Sequence, residues 1–253
     1  MQRYFVEQAY TEMVAEGFSL EGEDYHHAIN VMRMKEGDQC YLVFQDEVAI
    51  KAEVTQILTE KVLLREVARE EQTKELPIHV TIACGYPKGD KLELVVQKGT
   101  ELGAHNFIGF PSQTSVVKWD GKKLGKRQDR LSKIAKEAAE QSHRQVQPTV
   151  TMFEQSALFF ESFSGYDQIL VAYEEAAKIG EKAQLVRTIQ EMKRGQKLLV
   201  LVGPEGGFSA KEVSYFESLG AHVCGLGPRI LRAETAPLYL LSAISYQFDL
   251  LQV

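Results

Sequence analysis

Cysteine is scarce in this chain of 253 residues: Cys40, Cys84 and Cys224 stand far apart, with no C-x-x-C pair and no clustered histidines. That spacing argues against a zinc site and against a disulfide framework, so three reduced, buried thiols and no metal are expected. The first ten residues, MQRYFVEQAY, lack the apolar core of a secretory signal. No run approaches the roughly 20 apolar residues of a membrane span, so a cytoplasmic protein without a membrane partner is expected. An excess of positive charge is also missing. With a net charge of −6 and a pI near 5.6, a nucleic-acid partner has to be met by a local basic surface rather than by the whole molecule. Internal repeats and low-complexity tracts are absent.

What is present is a chain that changes character part-way. At 44% hydrophobic residues it fills a core. Residues 38 to 67 read as short strands: QCYLVFQ alternates, VAIKAEV places Val48, Ile50, Ala52 and Val54 on one face, and KVLLREV follows a turn. A small antiparallel sheet or barrel is expected over residues 38 to 67, with a helix capped by Asp24 ahead of it. The polar stretch AREEQTKELP, residues 68 to 77, reads as a linker.

From 76 to 253 strands alternate with longer helices. IHVTIACG, NFIGFP, QILVAYE, KLLVLVG and HVCGLG read as strands, several of them apolar throughout, as in a parallel sheet covered on both faces. Asp90 with Glu93, and Ser209 with Glu212, are capping pairs that open helices. Helical spacing runs from Gln128 to Gln145, and an apolar helix follows Pro237.

Two glycine turns follow apolar strands, GPEGGFSAKE at 203–212 and GLGPRILRAETAP at 225–237. The first is no phosphate loop, since Phe208 stands where that motif needs lysine, and neither it nor VAYEEAAKIG at 171–180 is a G-x-G-x-x-G dinucleotide site. Glu205 disfavours a polyanionic ligand, so a neutral or cationic ligand in a crevice at the strand ends is expected.

These turns, together with QKGTELG at 97–103, EAAEQSHR at 137–144, the opening RYFV and HHAINVMRMKEGD, resemble the bacterial 16S ribosomal RNA (uracil-N3)-methyltransferases of the SPOUT class. The resemblance covers almost the whole chain. It implies an α/β SPOUT trefoil-knot methyltransferase domain at 76–253, a small PUA-like RNA-binding β-barrel at 1–70, homodimerisation, and S-adenosylmethionine as cofactor. The implied reaction transfers a methyl group to N3 of uridine 1498 in 16S ribosomal RNA, met within the small ribosomal subunit. By the same resemblance the cofactor is held by Ala172 and Tyr173, by Gly203, Pro204, Glu205, Gly206 and Gly207, and by the segment containing Leu226, Gly227, Ile230, Leu231, Ala233, Thr235 and Ala236.

Uracil N3 carries a proton at neutral pH, so transfer needs a base, or donors that stabilise charge on the neighbouring oxygens. Arg232, Glu234 and Glu205 are the candidates, with a water as a further proton acceptor. Both glutamates also have a plainer reading as helix-entry carboxylates. Between Lys118 and Arg144 nine Lys or Arg residues face four Asp or Glu. Lys118, Lys133 and Arg144, with Arg3 and Arg33, are the expected RNA contacts. Trp119 offers a stacking surface or simple packing. A non-catalytic RNA-binding adaptor, a methyltransferase acting on another RNA, and a small-molecule enzyme are the rival functions.

Overall fold

The computed structural model describes residues 1–178 and 183–251. It forms two compact units, Met1–Glu75 with Ala139–Gln147, and Leu76–Ala138 with Pro148–Val253.

In the first unit β1 (Arg3–Phe5), β2 (Phe18–Glu21), β3 (Gln39–Val43), β4 (Ala49–Ile57) and β5 (Lys61–Arg69) form one sheet in the order β1-β3-β4-β5-β2. All neighbours are antiparallel except β1 with β3. Ile50, Ala52 and Val54 point into a core with Cys40, Leu42, Val62 and Leu64, as the alternation predicts. Register shifts between β4 and β5, after Lys51 and after Val54, bend and twist the pair and curl the sheet into a half-barrel. Two short helices, α1 (Tyr10–Glu16) and α2 (Gly22–His26), pass through the unit. Asp24 lies inside α2 rather than capping it, and a π-turn continues the helix over His27–Val31.

The stretch read as a linker is partly strand, because β5 runs to Arg69, and partly an anchor. Glu75 accepts hydrogen bonds from the backbone N–H groups of Gln145 (2.8 Å) and Val146 (3.1 Å) and from Arg144 Nε (3.0 Å). That carboxylate is why residues 139–147 group with the first unit, where the sequence reading assigns them to the second.

The second unit is built on a six-stranded, wholly parallel sheet: β6 (His79–Gly85), β7 (Asn106–Phe110), β8 (Thr149–Met152), β9 (Gln168–Ala172), β10 (Lys197–Val202) and β11 (His222–Cys224), ordered β11-β9-β10-β6-β7-β8. Successive residues of the apolar runs serve opposite faces. Leu198, Val200 and Val202 join one core with Val80 and Ile82, while Leu199 and Leu201 join another with Val171, Phe110 and Phe216. The helices are α3 (Lys91–Glu101), α4 (Gly121–Gln141), α5 (Ser156–Phe160), α6 (Glu174–Lys178), α7 (Gln184–Glu191), α8 (Ala210–Ser218) and α9 (Thr235–Ser245).

Several helix boundaries differ from the sequence reading. α4 starts at Gly121 because Asp120 Oδ1 accepts from Lys123 N (2.9 Å), a cap that precedes the apolar stripe used to place the helix. Asp90 makes no side-chain cap on α3; its expected capping mate Glu93 pairs with Arg130 instead (2.7 Å). α9 begins two residues ahead of Pro237, which sits at its third position. The Ser209–Glu212 box on α8 is present in both directions, at 3.2 and 2.9 Å.

Candidate active site

Loops leaving the carboxyl ends of β9, β10 and β11 enclose a pocket of about 400 Å³, inside the ~300–1,000 Å³ typical of small-molecule sites. Each loop is shaped by backbone that only a small residue permits. A Cβ on Gly203 would lie 2.7 Å from the carbonyl carbon of Gly207, so the turn closes only with glycine there. Gly227 holds φ of +85°, the left-handed region that redirects the chain from β11 into the segment above the pocket.

Of the fourteen residues expected to hold a cofactor, twelve line this pocket. Gly206 does not; the place of its missing Cβ faces Thr114, whose hydroxyl donates to the carbonyl of Gly207. Thr235 does not either, since it is the first residue of α9. A tie outside the pocket lining is also missing from the sequence reading. Glu212 is buried and accepts from Ser112 Oγ (2.8 Å) and Gln113 N (2.8 Å), which clips the loop after β7 against the glycine turn.

Lys91, absent from the expected set, organises the pocket floor. Its Nζ lies 2.9 Å from Glu205 Oε1 and 3.3 Å from Glu234 Oε2. Glu205 also accepts from Lys88 N (3.0 Å). One ammonium group at the start of α3 therefore joins the turn after β10 to the entry of α9. Partial burial pushes the Glu205 carboxyl up, but hydrogen bonds from Lys91 and Lys88 N outweigh it and hold the group below its ordinary value of 4.5. The hydrogen bond to Glu205 raises Lys91 above its ordinary value in turn. Glu234 occupies the helix-entry position without a side-chain cap bond, so its carboxylate serves Lys91 rather than the backbone.

These contacts bear on the proton. A base works best with a pKa near the working pH, and an ion-paired Glu205 with a lowered pKa is a weak acceptor. Arg232 is different. Its side chain is exposed at the pocket rim with no partner among the described residues, beside Arg229 and the highly exposed Ile230.

Of the expected RNA contacts, the structure removes two. Arg3 and Arg144 are 1% and 2% exposed. Arg3 Nη2 pairs with Glu70 (2.6 Å) and its Nη1 donates to the Arg144 carbonyl (3.2 Å), while Arg144 pairs with Glu75. Their charge is neutralised inside the first unit, where RNA does not reach. Arg33, Lys118 and Lys133 are exposed. The three cysteines are free and buried, and burial pushes the Cys40 and Cys84 thiols up to about 12. Among the described residues no cluster of His, Cys, Asp or Glu suits a metal ion.

A sequence model of the RNA methyltransferase domain matches residues 74–245, and one of the RNA methyltransferase PUA domain matches 20–67. The chain belongs to the RNA methyltransferase family. A Bacillus subtilis relative, ribosomal RNA small subunit methyltransferase E, is 47% identical over 253 residues, covering 100% of this chain and 99% of its own. The Mycobacterium bovis protein of the same name is 30% identical over 230 residues, 89% of this chain and 84% of its own. A Legionella pneumophila structure solved with bound S-adenosylmethionine superposes with a TM-score of 0.79 at 25% identity, covering 97% of both chains. This RNA methyltransferase is accordingly an α/β enzyme with a PUA-like amino-terminal unit, and its glycine-turn pocket lies within the span of the matched methyltransferase domain.

Proposed function

We propose that this enzyme transfers a methyl group from S-adenosylmethionine to N3 of uridine 1498 in 16S ribosomal RNA, acting on small-subunit particles in the cytoplasm as a homodimer. The observation that carries the reading is Arg232, a guanidinium with no partner among the described residues, at the rim of a pocket where Lys91 is taken up by Glu205 and Glu234.

The pocket suits the cofactor on its own residues. The Gly203–Gly207 turn lets backbone approach a ligand closely, and Leu226, Ile230 and Leu231 offer apolar surface. Two carboxylates against one ammonium leave a local excess of one negative charge, which suits a sulfonium. When bound, the cofactor supplies an electrophilic methyl group that needs no metal.

The chain's residues do the rest. The two glycine turns would hold the methyl donor, and Ile230 at the pocket rim would face an entering uracil. Arg232 points donors at the carbonyl oxygen that gains charge as N3 loses its proton, and so makes that loss easier. Glu205 is ionised and engaged by Lys91 and by Lys88 N, and the acceptors within this set for the N3 proton are that carboxylate, Glu234 and a water. Apolar residues exclude bulk water, which favours a step that cancels charge. Exposed Tyr239, Tyr246, Leu250 and Leu251 along α9 and the turn after it support the pairing of two copies.

Transfer of a labelled methyl group to small subunits prepared from cells lacking this activity tests the reading. About one label per subunit is expected, and none on subunits already modified. Label on a different RNA with none on these subunits would assign the enzyme another substrate.

A further inference from the structure

Away from the cofactor pocket, the segment before α4 and its first two turns form a shallow basin of about 550 Å³, lined by Val117, Lys118, Trp119, Lys123, Lys126 and Arg127. Five cations lie between 118 and 127, against a single acid, Asp120, whose Oδ1 is taken by Lys123 N. None of the five has a carboxylate partner among the described residues. On the helix they stand as Lys122 with Lys126 and Lys123 with Arg127, like charges at i,i+4 that disfavour the helix carrying them. In a chain of net charge −6, such a concentration of unpaired cations needs an anionic partner to offset its self-repulsion.

The basin also has a platform. The Arg127 guanidinium stacks over the Trp119 ring at 4.1 Å. The indole also packs against Tyr86, with ring centroids 4.5 Å apart and the rings tilted by 50°, and Tyr86 is itself fixed by its hydroxyl, which donates toward the carbonyls of Gly109 (3.0 Å) and Phe153 (2.6 Å). A guanidinium already stacked on one side presents its free face to another planar group. Nucleic-acid bases are such groups, and phosphates lie within reach of lysines set around them.

We propose that this basin is a docking site for one unpaired nucleotide of the RNA substrate, its base stacked on the Arg127–Trp119 pair and its flanking phosphates held by Lys118, Lys123 and Lys126. The assignment rests on the RNA-methylating reading above and adds an RNA-binding surface that shares no lining residue with the methyl-transfer pocket. A single strand fits better than a duplex, because stacking needs an exposed base face.

Trp119 is the only tryptophan in the chain, so its emission reports on this site without a label. The full-length protein is titrated with a single-stranded RNA of about ten nucleotides, and with heparin as a polyanion without bases. RNA is expected to quench Trp119, and heparin is not. The exposed pair Lys123→Ala with Lys126→Ala is expected to weaken RNA binding about tenfold and to lower the salt dependence by about 0.7 for each phosphate that is no longer neutralised, with S-adenosylmethionine affinity unchanged. Bound RNA that leaves the emission untouched, equal quenching by heparin, or a double variant that binds RNA like the wild type would each overturn the site. Quenching by RNA in a protein that fails to methylate small-subunit RNA would overturn the methylation reading and leave the basin standing.

Discussion

Arg232 and Lys91 are both cations of the pocket, and the structure gives them opposite tasks. Arg232 is exposed and has no partner among the described residues, whereas Lys91 is committed to Glu205 and Glu234. Arg232→Ala should therefore leave S-adenosylmethionine affinity nearly unchanged and lower turnover about 100-fold or more, the scale of losing one transition-state donor. Arg232→Lys should recover little, since a point charge lacks the planar fork. Steady-state kinetics at saturating cofactor, beside calorimetric affinities, check both. Lys91→Met should act on ligand binding. Freed of their ammonium, the two carboxylates repel one another but attract the cofactor's sulfonium, so affinity for the neutral product S-adenosylhomocysteine should fall relative to that for S-adenosylmethionine. Calorimetry with both ligands reads that ratio, and an unchanged ratio would show that Lys91 does not set the pocket's charge.

Elements built on local rules are legible in the sequence; those built on distant pairs are not. The double-faced apolar runs announce β6, β9 and β10, and the glycine turns announce the pocket, because strand burial and turn closure are written in adjacent residues. Lys91 is hidden because its partners are Glu205 and Glu234, more than a hundred positions away, and nothing in DKLELVV marks it. Arg3 and Arg144 mislead for the same reason. A lone arginine reads as surface until Glu70 and Glu75, two carboxylates in what looks like a polar linker, are placed against it. The Arg144–Glu75 pair makes its own prediction. Burial pushes the Glu75 carboxyl up, but Arg144 and the N–H groups of Gln145 and Val146 outweigh that and hold it below its ordinary 4.5. A carboxylate lowered in the folded state stabilises fully above the unfolded value, and that stability is lost as pH falls through the folded value. Glu75→Gln should cost about 3–5 kcal/mol at neutral pH, the scale for leaving a buried charge unpaired. It should also flatten the acid side of the stability curve below about pH 4.5, as followed by urea unfolding at a series of pH values.

At the scale of the whole molecule, the chain does not divide at a clean cut. Residues 139–147 belong to the first unit although they lie in the middle of the sequence, so a chain beginning at Leu76 leaves Arg144 without Glu75. Such a truncation should lose solubility or stability before its RNA affinity can be read. Restoring residues 1–75 should recover the fold, and a truncated protein as stable as the full chain would contradict the arrangement. On an acidic chain the basic basin concentrates the positive charge that the proposed RNA docking needs.

The pocket closed by the two glycine turns is proposed to direct a methyl group to uracil N3. Purified protein, S-adenosylmethionine and unmodified small subunits are incubated together, and the 16S RNA nucleosides are resolved by mass spectrometry. N3-methyluridine is expected at a single position, dependent on Arg232. Methylation at a carbon, at a ribose hydroxyl or at another base, by a protein that binds the cofactor normally, would contradict it.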